Sequence, residues 1–532
     1  MKKTIAVTFG VALGLLAGVA SMEAEPVVDI KLSPIGTYWT GIFDEGVSEI
    51  VAYDPALQRV YSIRAAEAAL DVIDINNPRR PTLVTTVDLL PYGGVVTSVA
   101  VENGIIAVAA PSGVATDPGK VVFFDNNSLM PLSAVTVGVL PDMLTFAPNG
   151  TLVLVANEGQ PSEDYSIDPE GSVSIIDISS GAAMPVVSTV AFTAFNGTML
   201  DPSIRIYGRH TNAMGTNFST VAQDLEPEYI AVSADSTTAW VVLQENNALG
   251  IIDIPTRTVT DLVGLGFKDR TLPGNGIDAS DRDDAINIQN WPVWGMYQPD
   301  GTVAFVHEGQ TYLIMVNEGD SRAYEGFNEE TRVGSVTLDP TAFPDAEELQ
   351  ENAALGRLRI TNATGDTDND GDFDALFAFG ARSFTIRDAE GALIWDSGDE
   401  LEQITAAFYP RNFNASNDNN DFDNRSDDKG PEPEGVTVAT VFGRRMAFMA
   451  LERIGGVVVY DITDPTNPCF IEYANNRHFN FEPGTLRAGD LGPESLVFVS
   501  AEQSPIGRPL LVVGNEVSGS MTIFEIRERD LE

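Results

Sequence analysis

Short apolar runs separated by turn-forming residues make up most of the sequence. Runs such as Thr151–Ala156, Ala239–Leu243 and Leu510–Val513 are rich in β-branched residues and are shorter than typical helices. The chain contains 47 Gly and 31 Pro, which favour frequent turns. The pattern therefore predicts an all-β protein.

One unit recurs along the chain. It begins at an acidic residue, often after Pro, and contains an apolar strand, a turn, a second apolar strand ending near another acid, and a third strand ending in Asp-Ile or a similar sequence. A further β-prone run follows, as at Pro81–Leu89, so each unit has four strands. Four-stranded units repeated radially are typical of a β-propeller. The seven copies span residues 49–75, 98–125, 142–178, 228–254, 300–388, 434–462 and 494–526.

The last copy ends soon after its third strand, and Ile30–Tyr38 can supply the missing fourth strand. We therefore expect a seven-bladed β-propeller over residues 30–532 that is closed by an N-terminal strand, because closure removes exposed sheet edges. In such blades, the loops before the first strand and after the second strand lie on one face. Nearly all the excess loop length falls there, and long loops on a rigid scaffold often carry function. The main insertions are residues 267–298, 319–374 and 405–433.

The charge of the chain limits its function. Its 532 residues include 77 Asp and Glu against 31 Lys and Arg, which gives a formal net charge of -46. Binding to nucleic acid through the phosphate backbone needs a basic surface, so this class of partner is excluded. With 43% apolar residues the chain can still bury a core. The charge indicates a saline or cation-rich medium, or a cation-binding face.

The N terminus has the order of a secretory signal. Lys2 and Lys3 precede an apolar run over residues 5–20, which is followed by small residues. We expect residues 1–24 to be a signal peptide, because the run is too short to favour a membrane span. The mature chain is then exported, to the periplasm or outside the cell, with no membrane span.

One series of acids stands where the first strands of the units begin, and a second series stands where the second strands end. These two strand ends lie on the same face of a blade. Both series are expected to gather on the elaborated face around the mouth of the central channel. Crowded carboxylates repel one another, so they must share protons, pair with Arg or bind cations. Two interpretations are open: the acids hold the blades in register, or they form a site for a divalent metal or a substrate. The series are Glu49, Asp142, Glu228, Asp300, Glu434 and Glu494, and Glu67, Glu158, Glu245, Glu318, Glu452 and Glu516.

One acidic loop has the spacing of a calcium-binding loop. Asp occurs at alternate positions, and Gly371 at the sixth position permits a sharp turn around a hard cation. Phe377 stands where an EF-hand would place Glu, so a shorter loop that precedes a strand is expected. A solvated acidic turn is the alternative. The predicted ligands are Asp366, Asp368, Asp370, Asp372 and Asp374.

Two other acidic clusters lie in the insertions, at residues 278–284 and 418–434. Their interleaved acids and bases could bind a metal and an anionic group together. A solvated charged loop is an equally open interpretation.

Six segments carry a family resemblance: residues 141–158, 223–232, 276–300, 379–402, 425–436 and 509–516. They resemble the choice-of-anchor I family of exported bacterial propeller proteins, some of which are labelled alkaline phosphatase. A different propeller family hydrolyses phosphomonoesters with carboxylate-bound calcium and iron. By that analogy, acids of this chain would hold metals that polarise a phosphoryl group.

The expected function is that of an exported, monomeric, calcium-binding propeller whose acidic, loop-rich face binds a small anionic ligand or a cell-surface partner. The alternative is a metal-dependent phosphohydrolase on the same face, with calcium and a second divalent or transition metal. A structural extracellular matrix component is the third interpretation. The candidate catalytic residues are Glu434, Asp427, Arg322 and Lys429, and the candidate second metal or ligand site is Glu158, Glu228, Glu318 and Glu494.

If the negative charge is organised around cations, chelating divalent cations at fixed ionic strength should lower the Tm far more than lowering the monovalent salt concentration. Thermal unfolding followed by circular dichroism checks this expectation. Equal sensitivity to both treatments would assign the charge to general solvation.

Overall fold

The computed structural model describes residues 29–212 and 215–529, which form an all-β protein as the sequence predicts. The described helical segments are short: α1 (Val221–Asp224), α2 (Ala346–Leu349), α3 (Glu400–Phe408), and single 3-10 turns at Thr193–Phe195 and Val333–Ser335. No helix among these residues is long and apolar enough to span a bilayer. The predicted signal peptide lies outside the described residues.

The strands follow one another closely along the chain, and most pair with the strand before or after them. The first half contains β1 (Ile30–Trp39), β2 (Val47–Asp54), β3 (Arg59–Arg64), β4 (Ala69–Asp74), β5 (Thr82–Asp88), β6 (Ser98–Glu102), β7 (Ile105–Ala110), β8 (Pro118–Asp125), β9 (Pro131–Val139), β10 (Pro141–Phe146), β11 (Leu152–Asn157), β12 (Ser172–Asp177), β13 (Val186–Ala191), β14 (Arg209–Asn212), β15 (Gly215–Phe218), β16 (Ile230–Val232), β17 (Thr238–Leu243), β18 (Ala248–Asp253) and β19 (Thr258–Gly264).

The second half contains the insertions as well as further four-stranded sheets. Its strands are β20 (Phe267–Asp269), β21 (Trp294–Met296), β22 (Thr302–His307), β23 (Gln310–Asn317), β24 (Glu330–Arg332), β25 (Arg359–Thr361), β26 (Phe377–Ala378), β27 (Ser383–Asp388), β28 (Leu393–Asp396), β29 (Pro433–Val441), β30 (Arg444–Leu451), β31 (Val457–Asp461), β32 (Cys469–Ala474), β33 (Pro493–Val499), β34 (Leu510–Asn515) and β35 (Ser520–Glu528).

Four-stranded antiparallel sheets build the scaffold. Their first strands contact one another in the order β2, β6, β10, β16, β22, β29 and β33, and β33 also contacts β2. Repetition of four-stranded sheets around an axis is the architecture of a β-propeller, so the propeller prediction is confirmed.

The positions of the apolar runs follow from this packing. Residues 153–156 of β11 are fully buried, because this strand is covered on both sides by neighbouring sheets. The outer strand β5 is largely exposed and mixes Thr and Asp with apolar residues. Continuous apolar runs therefore mark the inner strands, whereas the fourth strands carry a weaker signal.

The N-terminal strand joins the last sheet. β1 pairs antiparallel with β35, from Ile30 opposite Glu528 to Trp39 opposite Ser520. Ile30 and Leu32 are buried in a cluster that includes Phe524 of β35. The strand expected at Ile30–Tyr38 is thus observed at Ile30–Trp39.

The insertions form ordered structure beside the propeller. The insertions at 267–298 and 319–374 contribute strands to a shared sheet in the order β20, β21, β26, β25, β24, in which β26 comes just after the second insertion. Ile277, Leu338 and Ile360 are among the residues of a separate apolar core beneath this sheet. The third insertion, 405–433, begins in α3 and continues mainly through turns. The insertions therefore hold one another in place through their own packing.

Pairing of β1 with β35 should contribute to global stability. Leu32→Ala removes a side chain that is 3% exposed and should lower the free energy of unfolding by about 2–5 kcal/mol. Lys31→Ala, at the neighbouring exposed position, is the matched control and should have little effect. Urea unfolding measures both variants, and equal effects would contradict a supporting role for β1.

Candidate functional site: the acidic channel mouth

An acid lies at the start of the first strand in six of the four-stranded sheets of the described chain. In several of these strands the pairing register shifts beside the acid, for example between Pro433 and Val436 and between Pro493 and Ser495. A bulge of this kind changes the direction of a side chain at a strand end. We call these acids the acid ring: Glu49, Asp142, Glu228, Asp300, Glu434 and Glu494.

A cavity at the centre of the propeller brings most of the acid ring together. Residues at or next to the start of every first strand line it, including Glu49, Asp142, Asp300, Glu434 and Glu494. The predicted gathering of the first-strand acids at the channel mouth is therefore observed.

Crowding at this cavity changes the acidity of the carboxyl groups. Burial, followed by repulsion from neighbouring acids including Glu516 and Asp142, raises the pKa of Glu49 to about 8. Burial and repulsion by Glu245 raise the pKa of Asp142 to about 6. The pKa of Glu434 also lies well above its ordinary value, for the same two reasons. Near neutral pH Glu49 therefore retains a proton unless a cation neutralises it.

Second-strand acids take part in three carboxylate clusters, one of which contains Asp300 and Glu434 of the ring. In each cluster one ligand oxygen from every member lies within 4.8 Å of the others. Calcium binds oxygen at about 2.3–2.6 Å, so one ion can reach every member of such a cluster. The clusters are Glu158–Glu226–Glu245, Asp300–Glu318–Glu434 and Glu318–Glu432–Glu452.

An Asn residue often fixes the strand end that precedes these acids. Asn157 Nδ2, next to Glu158, donates to Ser174 Oγ at 3.0 Å. Asn515, next to Glu516, donates to the Ser520 carbonyl at 3.2 Å. These cross-strand bonds hold the end of the second strand in place and so help to position the acid that follows.

Three cations surround Glu432 beside the ring. Lys429 Nζ lies 2.7 Å from Glu318 Oε1 and 3.2 Å from Glu432 Oε2. Arg425 and Arg453 contact Glu432 at 2.6 and 3.0 Å. Although burial alone would raise it, these cations hold the pKa of Glu432 well below its ordinary value. Glu432 therefore stays ionised while its neighbours in the ring are driven towards protonation.

A mixed-charge pocket opens next to this ion-pair network. It has a volume of about 270 Å³, and four basic side chains line it together with acids such as Asp320 and Asp428. Burial, opposed by Lys429, raises the pKa of Asp320 to about 7. Basic groups beside carboxylates can hold an anion together with a metal ion. We call this cavity the basic pocket and name its cations: Arg359, Arg425, Lys429 and Arg453.

The candidate catalytic residues separate into two groups. Glu434 and Lys429 lie close to Glu318 in the ring and its border. Arg322 is instead buried, with its guanidinium 2.9 Å from Glu226 Oε1. Asp427 is held by Arg332 and Arg357 at 2.6 and 2.8 Å. Neither Arg322 nor Asp427 lines the channel cavity or the basic pocket.

The candidate second metal or ligand site is likewise divided. Glu158 clusters with Glu226 and Glu245, and Glu228 is adjacent to Glu245. Glu318 belongs to the two clusters on the Lys429 side, whereas repulsion from Glu49 and Glu516 acts on Glu494. The four acids therefore surround the same channel mouth without forming one coordination group.

The predicted calcium loop folds into a compact acidic turn. Gly371 has φ +102°, and its N–H donates to Asp366 Oδ2 at 3.1 Å. Thr367 N donates to Asp374 Oδ2 at 2.8 Å. Asp339, from outside the loop, lies near Asp372 and Asp374, with one oxygen of each within 4.8 Å of the others. Asp339 is a further candidate ligand that the spacing of the loop does not reveal.

Sequence reasoning missed Glu226 and included Glu432 only as part of the acidic cluster at 418–434, although a second pattern marks both. Glu226 and Glu432 each stand two positions before an acid of the ring, in the sequence Glu-Pro-Glu. Each joins a carboxylate cluster. Arg359 and Asp320 had no such signal, because the fold of the insertions brings them to the basic pocket.

The acidity of the ring gives a pH dependence of stability. In the unfolded chain Glu49 ionises near its ordinary pKa of 4.5, whereas in the folded protein it ionises at about 8. The folded protein binds the proton more tightly, so stability should fall as pH rises from about 4.5 to 8. With chelator present, Glu49→Gln should reduce the fall in Tm over this range.

Glu67→Gln provides the control, because the side chain of Glu67 is 47% exposed and pairs with Arg64. It should leave the slope of Tm against pH unchanged. Identical slopes for both variants and the parent would show that Glu49 is not held protonated.

Several known proteins are similar to this chain. Gigasin-3a of Magallana gigas is 31% identical over 196 residues, covering 34% of this chain and 68% of Gigasin-3a. A mesenchyme-specific cell surface glycoprotein of Strongylocentrotus purpuratus is 25% identical over 316 residues, covering 52% of this chain and 40% of the glycoprotein. The chain thus spans less than half of that glycoprotein's length.

Solved structures with similarity to the chain include Kuenenia stuttgartiensis hydrazine synthase, with a TM-score of 0.46, 11% identity, and coverage of 93% of this chain and 100% of that one. The Cps50 (Swd1) β-propeller domain of Myceliophteria thermophila gives a TM-score of 0.44 and 10% identity, covering 93% of this chain and 99% of that one.

At the level of sequence, residues 49–465 match the choice-of-anchor I domain. Since this match extends over most of its length, the chain belongs to the choice-of-anchor I family.

Proposed function

We propose that the protein is an exported, surface-associated β-propeller that binds divalent cations at its channel mouth and, with them, an anionic ligand. The observation that carries this proposal is the position of the basic pocket beside the carboxylate clusters. Glu318 joins the two, because it belongs to two clusters and also contacts Lys429.

We further propose seven blades closed by the N-terminal strand. Seven four-stranded sheets within the described residues support this count, and the pairing of β1 with β35 supports the closure. A closed ring keeps the first strands at fixed distances from the axis. It would therefore hold the acid ring in a constant geometry as cations bind and leave.

The need for a cation follows from the charges. Asp300, Glu318 and Glu434 have ligand oxygens within 4.8 Å of one another, and Lys429 is the cation in contact with Glu318. A divalent ion would offset the remaining negative charge and leave a coordination position for a ligand oxygen. Arg359 and Arg425 could then bind the other oxygens of an anionic group.

Export and surface association rest on separate support. The signal-like N terminus favours export, and the choice-of-anchor I match and the similarity to a cell-surface glycoprotein favour a surface location.

We also propose that the loop of Asp366 to Asp374 binds calcium. The alternation of Asp and the turn at Gly371 support this second, structural site.

A metal-dependent phosphohydrolase is the second candidate function. It is favoured by the contact of Lys429 with Glu318, because phosphoryl transfer needs metal-bound carboxylates beside positive charge. Glu434 and Glu318 would hold the metal, and Lys429 and Arg359 would neutralise the phosphoryl oxygens. Arg322 and Asp427 would act only through their buried ion pairs.

Calorimetry with calcium can separate the two proposed kinds of site. Glu434→Gln should weaken binding at the channel mouth at least tenfold, because it removes one carboxylate ligand. Asp368→Ala with Asp370→Ala should abolish only the binding class due to the loop. Glu67→Gln is the control, and calcium binding that none of these variants alters would overturn the cation proposal.

Inorganic phosphate, added with calcium present, tests the basic pocket. Arg359→Gln should weaken phosphate binding about tenfold or more, since it removes a charge-assisted hydrogen bond. Arg411→Gln, at an exposed position in the third insertion, should leave phosphate binding unchanged.

Phosphate release from a phosphomonoester that depends on calcium and is lost in Glu434→Gln would favour the hydrolase over the binding protein.

A further inference from the structure

Another carboxylate cluster joins two insertions outside both cavities described above. Asp278 and Asp283 belong to the insertion at 267–298, and Asp423 belongs to the insertion at 405–433. One ligand oxygen of each lies within 4.8 Å of the others. Asp278 and Asp423 are 0% and 2% exposed, whereas Asp283 is half-buried. Residues more than a hundred positions apart in sequence thus meet in a largely dry environment.

One buried oxygen in this cluster lacks a donor. Asp423 Oδ1 accepts the Ser426 hydroxyl, but Asp423 Oδ2 has no hydrogen-bond partner among the described residues. A buried carboxylate oxygen without a partner is costly, because it has lost water and gained nothing in exchange. Oδ2 is therefore the oxygen of Asp423 that is available to a ligand.

Positive side chains do not compensate the cluster. Within the described ranges, none of the three Asp residues forms a salt bridge; the nearby Arg382 contacts Glu402 at 2.6 Å instead. Glu402 in turn accepts the Asp278 N–H at 2.9 Å. Burial and repulsion by Asp278, opposed by the Ser426 hydrogen bond, raise the pKa of Asp423 to about 8.

Backbone donors hold the other two carboxylates in place. Asn287 N donates to Asp278 Oδ2 at 2.6 Å, and Ala285 N donates to Asp283 Oδ1 at 3.0 Å. Each of these bonds closes a short local loop within residues 278–287. The two side chains are therefore fixed without support from the third insertion.

We propose that Asp278, Asp283 and Asp423 form a calcium site that ties the 267–298 insertion to the 405–433 insertion. The ligands are oxygen atoms only, as hard cations prefer. Oxygens on opposite sides of a calcium ion are about 4.6–5.2 Å apart, so one ion can contact an oxygen from each of three carboxylates that lie within 4.8 Å of one another. Magnesium usually keeps several waters and binds through only one or two carboxylates, so a site built from three carboxylates favours calcium. Because the 405–433 insertion also carries Arg425 and Lys429, the ion would steady one wall of the basic pocket.

Calcium stoichiometry tests this site in the full chain. The background variant carries Asp368→Asn and Asp370→Asn, so that the acidic loop does not contribute. Adding Asp423→Asn or Asp283→Asn should remove one bound calcium per chain, measured by calorimetry and by elemental analysis after desalting. Asp284→Asn is the matched control, because Asp284 is an exposed acid in the same loop.

Hydrogen exchange provides the second readout. In the background variant with Asp368→Asn and Asp370→Asn, calcium should slow amide hydrogen exchange in both residues 267–298 and residues 405–433. Adding Asp423→Asn should abolish this slowing in both segments. Circular dichroism checks folding; if Asp423→Asn does not fold, the half-buried Asp283→Asn variant decides the outcome. Unchanged stoichiometry in a folded Asp283→Asn variant overturns the site, whatever happens to binding at the channel mouth.

Discussion

Repulsion among carboxylates at the axis of the propeller is the constraint on which the rest of the site depends. Five of the six first strands that start with an acid bring this carboxyl group to the same cavity, because the sheets are arranged radially. The fold cannot separate these charges without moving whole sheets. Glu49 and Asp142 respond through raised pKa values, whereas Glu318 gains the cation Lys429. Protons and basic side chains thus neutralise acids of the same group, and the proposed metal ion would compete with both.

Basic residues in the insertions determine which acids at the channel mouth are paired with a positive charge. The third insertion supplies Arg425 and Lys429, which keep Glu432 ionised beside the ring. In the neighbouring cluster, Arg322 contacts Glu226, but Glu245 retains a buried oxygen without a donor. Charge is therefore distributed unevenly around the channel mouth. An anionic ligand can approach from the Lys429 side, where a metal and basic groups would act together.

The repeat made much of this arrangement predictable from sequence. Short continuous apolar runs located the inner strands. The acids at strand starts located the channel mouth, because a propeller brings equivalent positions together. The contacts made by the insertions could not be predicted, since they are not repeated along the chain. Thus Asp427 stood near Lys429 in sequence, yet the fold pairs it with Arg332 and Arg357. Likewise, only tertiary structure could bring Asp339 to the acidic loop and Asp423 to Asp278.

The proposed function depends on a divalent cation at the channel mouth. Anomalous X-ray diffraction from crystals grown with manganese, which takes oxygen ligands and scatters anomalously, tests it directly. We predict a peak among the carboxylates of Asp300, Glu318 and Glu434, the group with mutually close oxygens beside Lys429. Crystals saturated with manganese that show a peak elsewhere but none among these three carboxylates would contradict the account.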